Sequence, residues 1–219
     1  TLVSALRVAW RAAILGANVL IRGEAGAGKR ALAQYLNRAS QKWELLKNRS
    51  VDEEESASRR FVAINPASFA PSIFANELFG FQPKSASGLA SLLSVIESRS
   101  LMRVGARKPL DLEVRFLGAT SADDESLQDQ VRPQFLERIS AGGTIWIPPL
   151  RERKEDIPLL AKQFLRAREE RRTQTLTEDT LEVLQDHEWP GNVRELRAVV
   201  LDAVGRFPDV DYIVPEQCS

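Results

Sequence analysis

Much of the usual chemistry of protein sites is missing from this chain. Its 219 residues include one cysteine, Cys218, one histidine, His187, and one methionine. A lone cysteine forms no internal disulfide, which points to a reducing compartment. One histidine and one cysteine together exclude a His/Cys metal site. Net charge is missing too, since 30 Lys and Arg balance 30 Asp and Glu. No overall field draws the chain onto nucleic acid or an anionic membrane, although a local basic patch stays open. No apolar run approaches the roughly 20 residues that span a bilayer, and no signal peptide opens the sequence. With 43% hydrophobic and 27% charged residues, the composition is ordinary for a globular protein. Beginning at Thr1 without a methionine, the chain reads as an excised domain, and a cytoplasmic placement is expected.

The periodicity predicts a helix over Leu2 to Leu15 and a short buried strand at Asn18 to Ile21. A glycine-rich turn and a second helix over Arg30 to Ala39 follow, the opening of a parallel α/β sheet. Residues 41–60 break the pattern. They carry the acidic run Asp52 to Glu55 and read as a charged, solvated insertion, partly helical near Trp43 to Leu46. Further strands are expected at Phe61 to Ile64, Val114 to Thr120 and Thr144 to Ile147, with an amphipathic helix at Leu89 to Glu97 between the first two. Beyond about residue 153 the pattern is wholly helical. It has a helix at Ile157 to Glu170, a capping box at Thr175 to Glu178 that starts another, and a last helix at Val193 to Val204. The expected division is an α/β part over 1–153 and a small helical part over 154–219.

The sharpest signal is Gly23-Glu24-Ala25-Gly26-Ala27-Gly28-Lys29, which fits the G-x-x-x-x-G-K spacing of a phosphate-binding loop. Glycines let successive backbone N–H groups turn inward around phosphate oxygens, and the helix that follows presents its positive N-terminus to the same anion. Lys29 adds a mobile point charge for terminal phosphates. Arg30 stands where Ser or Thr commonly holds Mg²⁺.

Three further segments complete the pattern: Glu77 to Gly80 (ELFG), Pro148 to Ile157 (PPLRERKEDI) and Trp189 to Leu196 (WPGNVREL). Together with the loop, in this order, they resemble the central AAA+ domain of bacterial enhancer-binding proteins, the activators of sigma-54 RNA polymerase. The resemblance runs over most of residues 1–205. It implies a three-layer α/β/α domain with a parallel sheet and a small all-helical lid. It also implies that ATP or ADP binds with Mg²⁺, that the subunits form a hexameric or heptameric ring, and that hydrolysis remodels RNA polymerase through its sigma factor. DNA would be reached only through a domain beyond Ser219.

By resemblance, Gly23 to Lys29 matches the Walker A loop, with Arg30 where members often carry Glu. Asn65 matches the asparagine that gates the catalytic glutamate, and Thr120 ends the sensor I strand. Arg132 and Arg138 match the arginine-finger segment, and Arg194 the sensor II arginine. The residues alone leave simpler roles open: a turn before Pro66 for Asn65, a turn at Thr120, surface arginines at 132 and 138, and a surface salt bridge at Arg194. Trp189 is expected as a core anchor beneath the lid, and His187 as a helix-end residue beside it.

Two features of the family are missing. Lys84 to Leu89 matches the GAFTGA loop at almost no position. No apolar strand ending in the Walker B Asp-Glu pair lies between Gly80 and Leu89. A loop-strand unit thus reads as deleted near Gln82-Pro83. The alternative function is a hydrolysis-deficient, nucleotide-responsive assembly platform in a regulator that does not use sigma-54.

Overall fold

The computed structural model describes residues 2–47, 61–65, 88–101, 108–166, 175–207 and 212–215. Helix α1 (Leu2–Leu15) buries Ala5, Ala9, Ala12 and Ala13 along one stripe, and Gly16, at φ +61°, ends it in the left-handed conformation. These small side chains let α1 lie close against α2 (Lys29–Lys47) and the sheet.

The sheet is built on β1 (Val19–Arg22), flanked in parallel by β4 (Leu117–Thr120) and β5 (Thr144–Trp146). Alternate residues of β1 serve opposite faces. Val19 and Ile21 pack with α1 and α2. Leu20 packs on the other side with Ile96 of α3 (Gly88–Ser98), Leu127 of α4 (Asp124–Gln130) and Ile139 of α5 (Pro133–Ile139). Helices on both faces of a parallel sheet make the expected three-layer α/β/α arrangement. The register pairs Arg22 with both Thr120 and Trp146, so the three strands end side by side. A short antiparallel pair, β2 (Ser100–Leu101) and β3 (Leu110–Asp111), follows α3.

Two 3₁₀ turns, Leu150–Glu152 and Lys154–Asp156, lead into the lid. Its helices α6 (Ile157–Arg166), α7 (Glu178–Asp186) and α8 (Asn192–Arg206) enclose Leu150, Ile157, Leu184, Trp189, Leu196 and Val200. Trp189 is only 3% exposed, and its Nε1 donates to the Leu184 carbonyl at 2.7 Å. The expected core anchor is therefore in place. His187 caps the end of α7, and its Nδ1 accepts from the Trp189 N–H at 3.0 Å.

Three expectations are corrected. Phe61 to Ile64 is not a strand: it runs unpaired, with Val62 and Ile64 exposed and only Phe61 packed against the core. A strand needs a neighbour to take its backbone hydrogen bonds, and no strand pairing among the described residues includes 61–64. Helix α2 continues to Lys47, through the first part of the expected insertion. The helix cap is Thr177, whose hydroxyl accepts from Thr180 N, because Thr175–Leu176 is taken up as β6 in parallel pairing with β7 (Tyr212–Ile213). Among the described residues the lid is thus helical except for this two-stranded pair. The acidic run at 52–55, the Glu77–Gly80 motif, Gln82-Pro83, Lys84–Ser87 and Cys218 lie outside the described residues.

Candidate functional site

The loop from Gly23 to Gly28 leaves β1 at the carboxyl end of the sheet, where open parallel sheets bind ligands. Its backbone could not be built from other residues. Gly26 adopts φ +78°, and a Cβ there would stand 2.2 Å from the Gly191 carbonyl oxygen. A Cβ on Gly23 would meet the Ile147 carbonyl at 2.7 Å. The turn closes through Ala27 N donating to the Glu24 carbonyl at 3.2 Å, and α2 then starts at Lys29. Ala25 is exposed, whereas Ala27 is buried in the main core and fixes the far side of the turn.

Lys29 Nζ folds back over the loop and donates to the carbonyls of Gly23 at 2.7 Å and Glu24 at 2.8 Å. Its pKa is lowered by partial burial and further by the charge of Arg194 from the lid. Two cations thus lie at a helix N-terminus, with Arg194 Cβ 3.2 Å from where a Gly26 Cβ would stand, and among the described residues the hydrogen-bond partners of Lys29 are carbonyl oxygens. An anion at this point would relieve both, which is the electrostatic demand of a phosphate site. Arg30, next in sequence, is exposed and has no oxygen to offer a metal. Among the described residues no group of three or more His, Cys, Asp or Glu could hold one.

Thr120 ends β4 beside Arg22, and its Oγ1 accepts from Ala122 N at 3.1 Å, the turn role left open for it. Asn65 is exposed at the end of the stretch 61–65, which carries no regular secondary structure. Arg138 is ion-paired with Glu97 at 3.4 Å, both exposed. Arg132 is exposed at the N-cap of α5, contributing no side-chain cap bond. Lys29 and Arg194 therefore meet at the loop, while Arg132 and Arg138 sit on and before α5.

The residues that the sequence reading passed over are those joining the loop to the lid. Arg151 grips the Glu24 carboxylate with both guanidinium nitrogens, at 2.9 and 2.6 Å. Asn192, fully buried, donates from Nδ2 to the same carboxylate at 3.0 Å and to the Ala25 carbonyl at 3.1 Å, while its Oδ1 accepts from Leu150 N at 2.7 Å. Arg153 Nη2 donates to the Ala27 carbonyl at 2.7 Å. The Arg151 and Asn192 bonds pull the Glu24 pKa down to about 2, and the same pairing raises that of Arg151. A second omission is Arg22. It reaches Asp124 and the Ala122 carbonyl and lies 6.0 Å from the Trp146 ring, tying together the three strand ends. The motifs around residues 151–153 and 192 were legible, but their partners lie more than 120 residues away in sequence, and only the fold brings them together.

The comparisons with known proteins give the family and the fold. A family model described as the sigma-54 interaction domain matches residues 1–91, and one described as an AAA+ ATPase lid domain matches residues 151–209. The Psp operon transcriptional activator of Escherichia coli is 32% identical over 89% of this chain and 66% of its own length. A protein named limonene hydroxylase from Geobacillus stearothermophilus is 31% identical over 96% of the chain and 43% of its own length, so its name describes a much longer protein than the shared part. The crystal structure of NtrX from Brucella abortus in complex with ATP superposes with a TM-score of 0.77 at 23% identity, covering 99% of this chain and 52% of that one, which shows a common fold. The chain spans about half the length of several curated relatives it matches. The alignment with the Geobacillus protein runs over 249 positions against a chain of 219 residues, so at least 30 positions of the relative face nothing here.

Proposed function

We propose, for a chain that belongs to the AAA+ family of sigma-54 activators, that it is the ATP-binding module of a bacterial transcriptional regulator. The observation that carries this reading is the convergence of Lys29 and Arg194 on a glycine loop at a helix N-terminus. The loop of Gly23 to Gly28 offers its N–H groups to phosphate oxygens. Lys29 exchanges the carbonyls of Gly23 and Glu24 for the terminal phosphates, and Arg194 closes over them from the lid. Bound ATP supplies a γ-phosphoryl group on which negative charge grows during transfer to water. Arg132, with Arg138 behind it, meets that charge from a neighbouring subunit of a hexameric or heptameric ring, an effect worth about 10³–10⁵ in rate where arginine fingers operate. Thr120 takes the sensor I place at the end of β4, and Asn65 the place of the residue that gates a catalytic glutamate. Mg²⁺ would accompany the nucleotide, held mainly by its phosphates and water. The module's partners are other copies of itself and the sigma factor of RNA polymerase, in the cytoplasm.

The relatives favour this activator reading over a platform that does not use sigma-54. No Asp-Glu pair ends a strand among the described residues, so hydrolysis is the part that experiment must carry. Steady-state ATP turnover is measured across protein concentrations, with Lys29→Ala and Arg132→Ala as controls. The expected result is turnover per subunit that rises with concentration and disappears in both variants. Nucleotide binding without turnover would overturn the motor and leave the platform.

A further inference from the structure

The polar contacts between loop and lid are concentrated on one side chain. The Glu24 carboxylate takes two bonds from Arg151 and one from Asn192, while the Glu24 carbonyl oxygen takes one of the two bonds that hold Lys29. The same residue is therefore tied to the lid through its side chain and to the phosphate lysine through its backbone. Asn192 strengthens the link, since it also holds the Ala25 carbonyl and the Leu150 N–H that opens the lid connection. A charge-assisted, bidentate bond of this kind is directional and is lost over a short displacement.

We propose that Glu24 is a positioning residue that couples lid docking to nucleotide binding. When the lid shifts, Arg151 and Asn192 draw the carboxylate with them, and the strain reaches the two carbonyls that hold Lys29. With the lid docked, those carbonyls and the loop N–H groups are held in one arrangement, and phosphate can draw Lys29 off them without the loop moving. Docked lid and occupied loop thus favour each other, and by reciprocity each strengthens the other by the same factor. The inference rests on the nucleotide-binding reading above and adds the device that regulates it.

The test titrates a fluorescent ADP analogue into the wild-type domain, Glu24→Gln, Arg151→Ala, Arg151→Lys and the Glu24→Gln/Arg151→Ala double variant. Hydrogen exchange of residues 192–206 is followed with and without saturating ADP. Each of Glu24→Gln and Arg151→Ala is expected to weaken binding about tenfold, within the range of ordinary site-to-site coupling. The double variant should be no weaker than the weaker-binding single, and Arg151→Lys should recover part of the loss. ADP should slow exchange in 192–206 of the wild type, and this protection should be absent in Glu24→Gln even at saturation. Glu24→Gln keeps the size of a partly exposed side chain, so it carries the test if Arg151→Ala does not fold. Variants that bind ADP as tightly as wild type, or single losses that add in the double, overturn the coupling alone. A wild type that binds no ADP overturns the nucleotide reading along with it.

Discussion

The phosphate loop and the apolar stretch Phe61–Ile64 are finished in different ways. Toward the lid, β1 runs into a loop whose backbone is held by directional bonds from Arg151, Arg153 and Asn192, with no space for a Cβ at Gly26. The apolar stretch Phe61–Ile64, by contrast, forms no strand, with Val62 71% exposed and only Phe61 packed against the core. The same local preference for extended structure thus has opposite outcomes. Extended backbone becomes sheet only where a neighbour accepts its hydrogen bonds, whereas a loop held by side chains keeps its shape without one. The functional side of the molecule is accordingly the side where long-range polar contacts replace regular structure.

This contrast can be broken most severely at the lid. Trp189→Ala removes the largest side chain of the lid core and should cost roughly 3–5 kcal/mol in denaturant unfolding, with nucleotide affinity falling as the lid loosens. Gly26→Ala forces a Cβ against the Gly191 carbonyl at a positive φ. It should cost about 3 kcal/mol and separate loop from lid, read as lost nucleotide binding in a domain that still melts cooperatively. Asn192→Ala leaves the buried Leu150 N–H without its acceptor, worth about 1–3 kcal/mol, and should also raise the Glu24 pKa.

A smaller effect sharpens the account through pH. The Glu24 carboxyl titrates near 4.5 when free and at about 2 in the folded protein. A depressed carboxylate adds stability that is complete above the free value and is lost as pH falls through the folded one. The stability difference between wild type and Arg151→Ala should therefore be constant above about pH 4.5 and narrow steadily toward pH 2, as followed by denaturant midpoints. In the stretch 61–65, Val62→Asp should change stability by less than about 0.5 kcal/mol. A large loss there would mean that 61–65 is held more firmly than its exposure indicates.

The local parts of this site were legible in the sequence, because they depend on neighbours in the chain. Gly23 to Lys29 announces its turn and its lysine by spacing alone, and the helices beginning at Leu2, Lys29 and Asn192 follow their apolar periodicity closely. What depends on distant partners was not legible. Nothing near Glu24 foretells Arg151, and nothing near Thr175 foretells the Tyr212 pairing that moves the helix cap to Thr177. Phe61–Ile64 reads as a strand for the same reason that it fails to be one: periodicity reports which face is apolar but not whether a neighbouring strand is present.

The central claim is that the loop of Gly23 to Lys29, closed by the lid, holds nucleotide phosphates. Calorimetric titration of ADP into the wild-type domain and into Lys29→Ala tests it most directly. The account predicts saturable binding to the wild type and none to a Lys29→Ala variant whose melting is unchanged. Equal binding by the two proteins would contradict it.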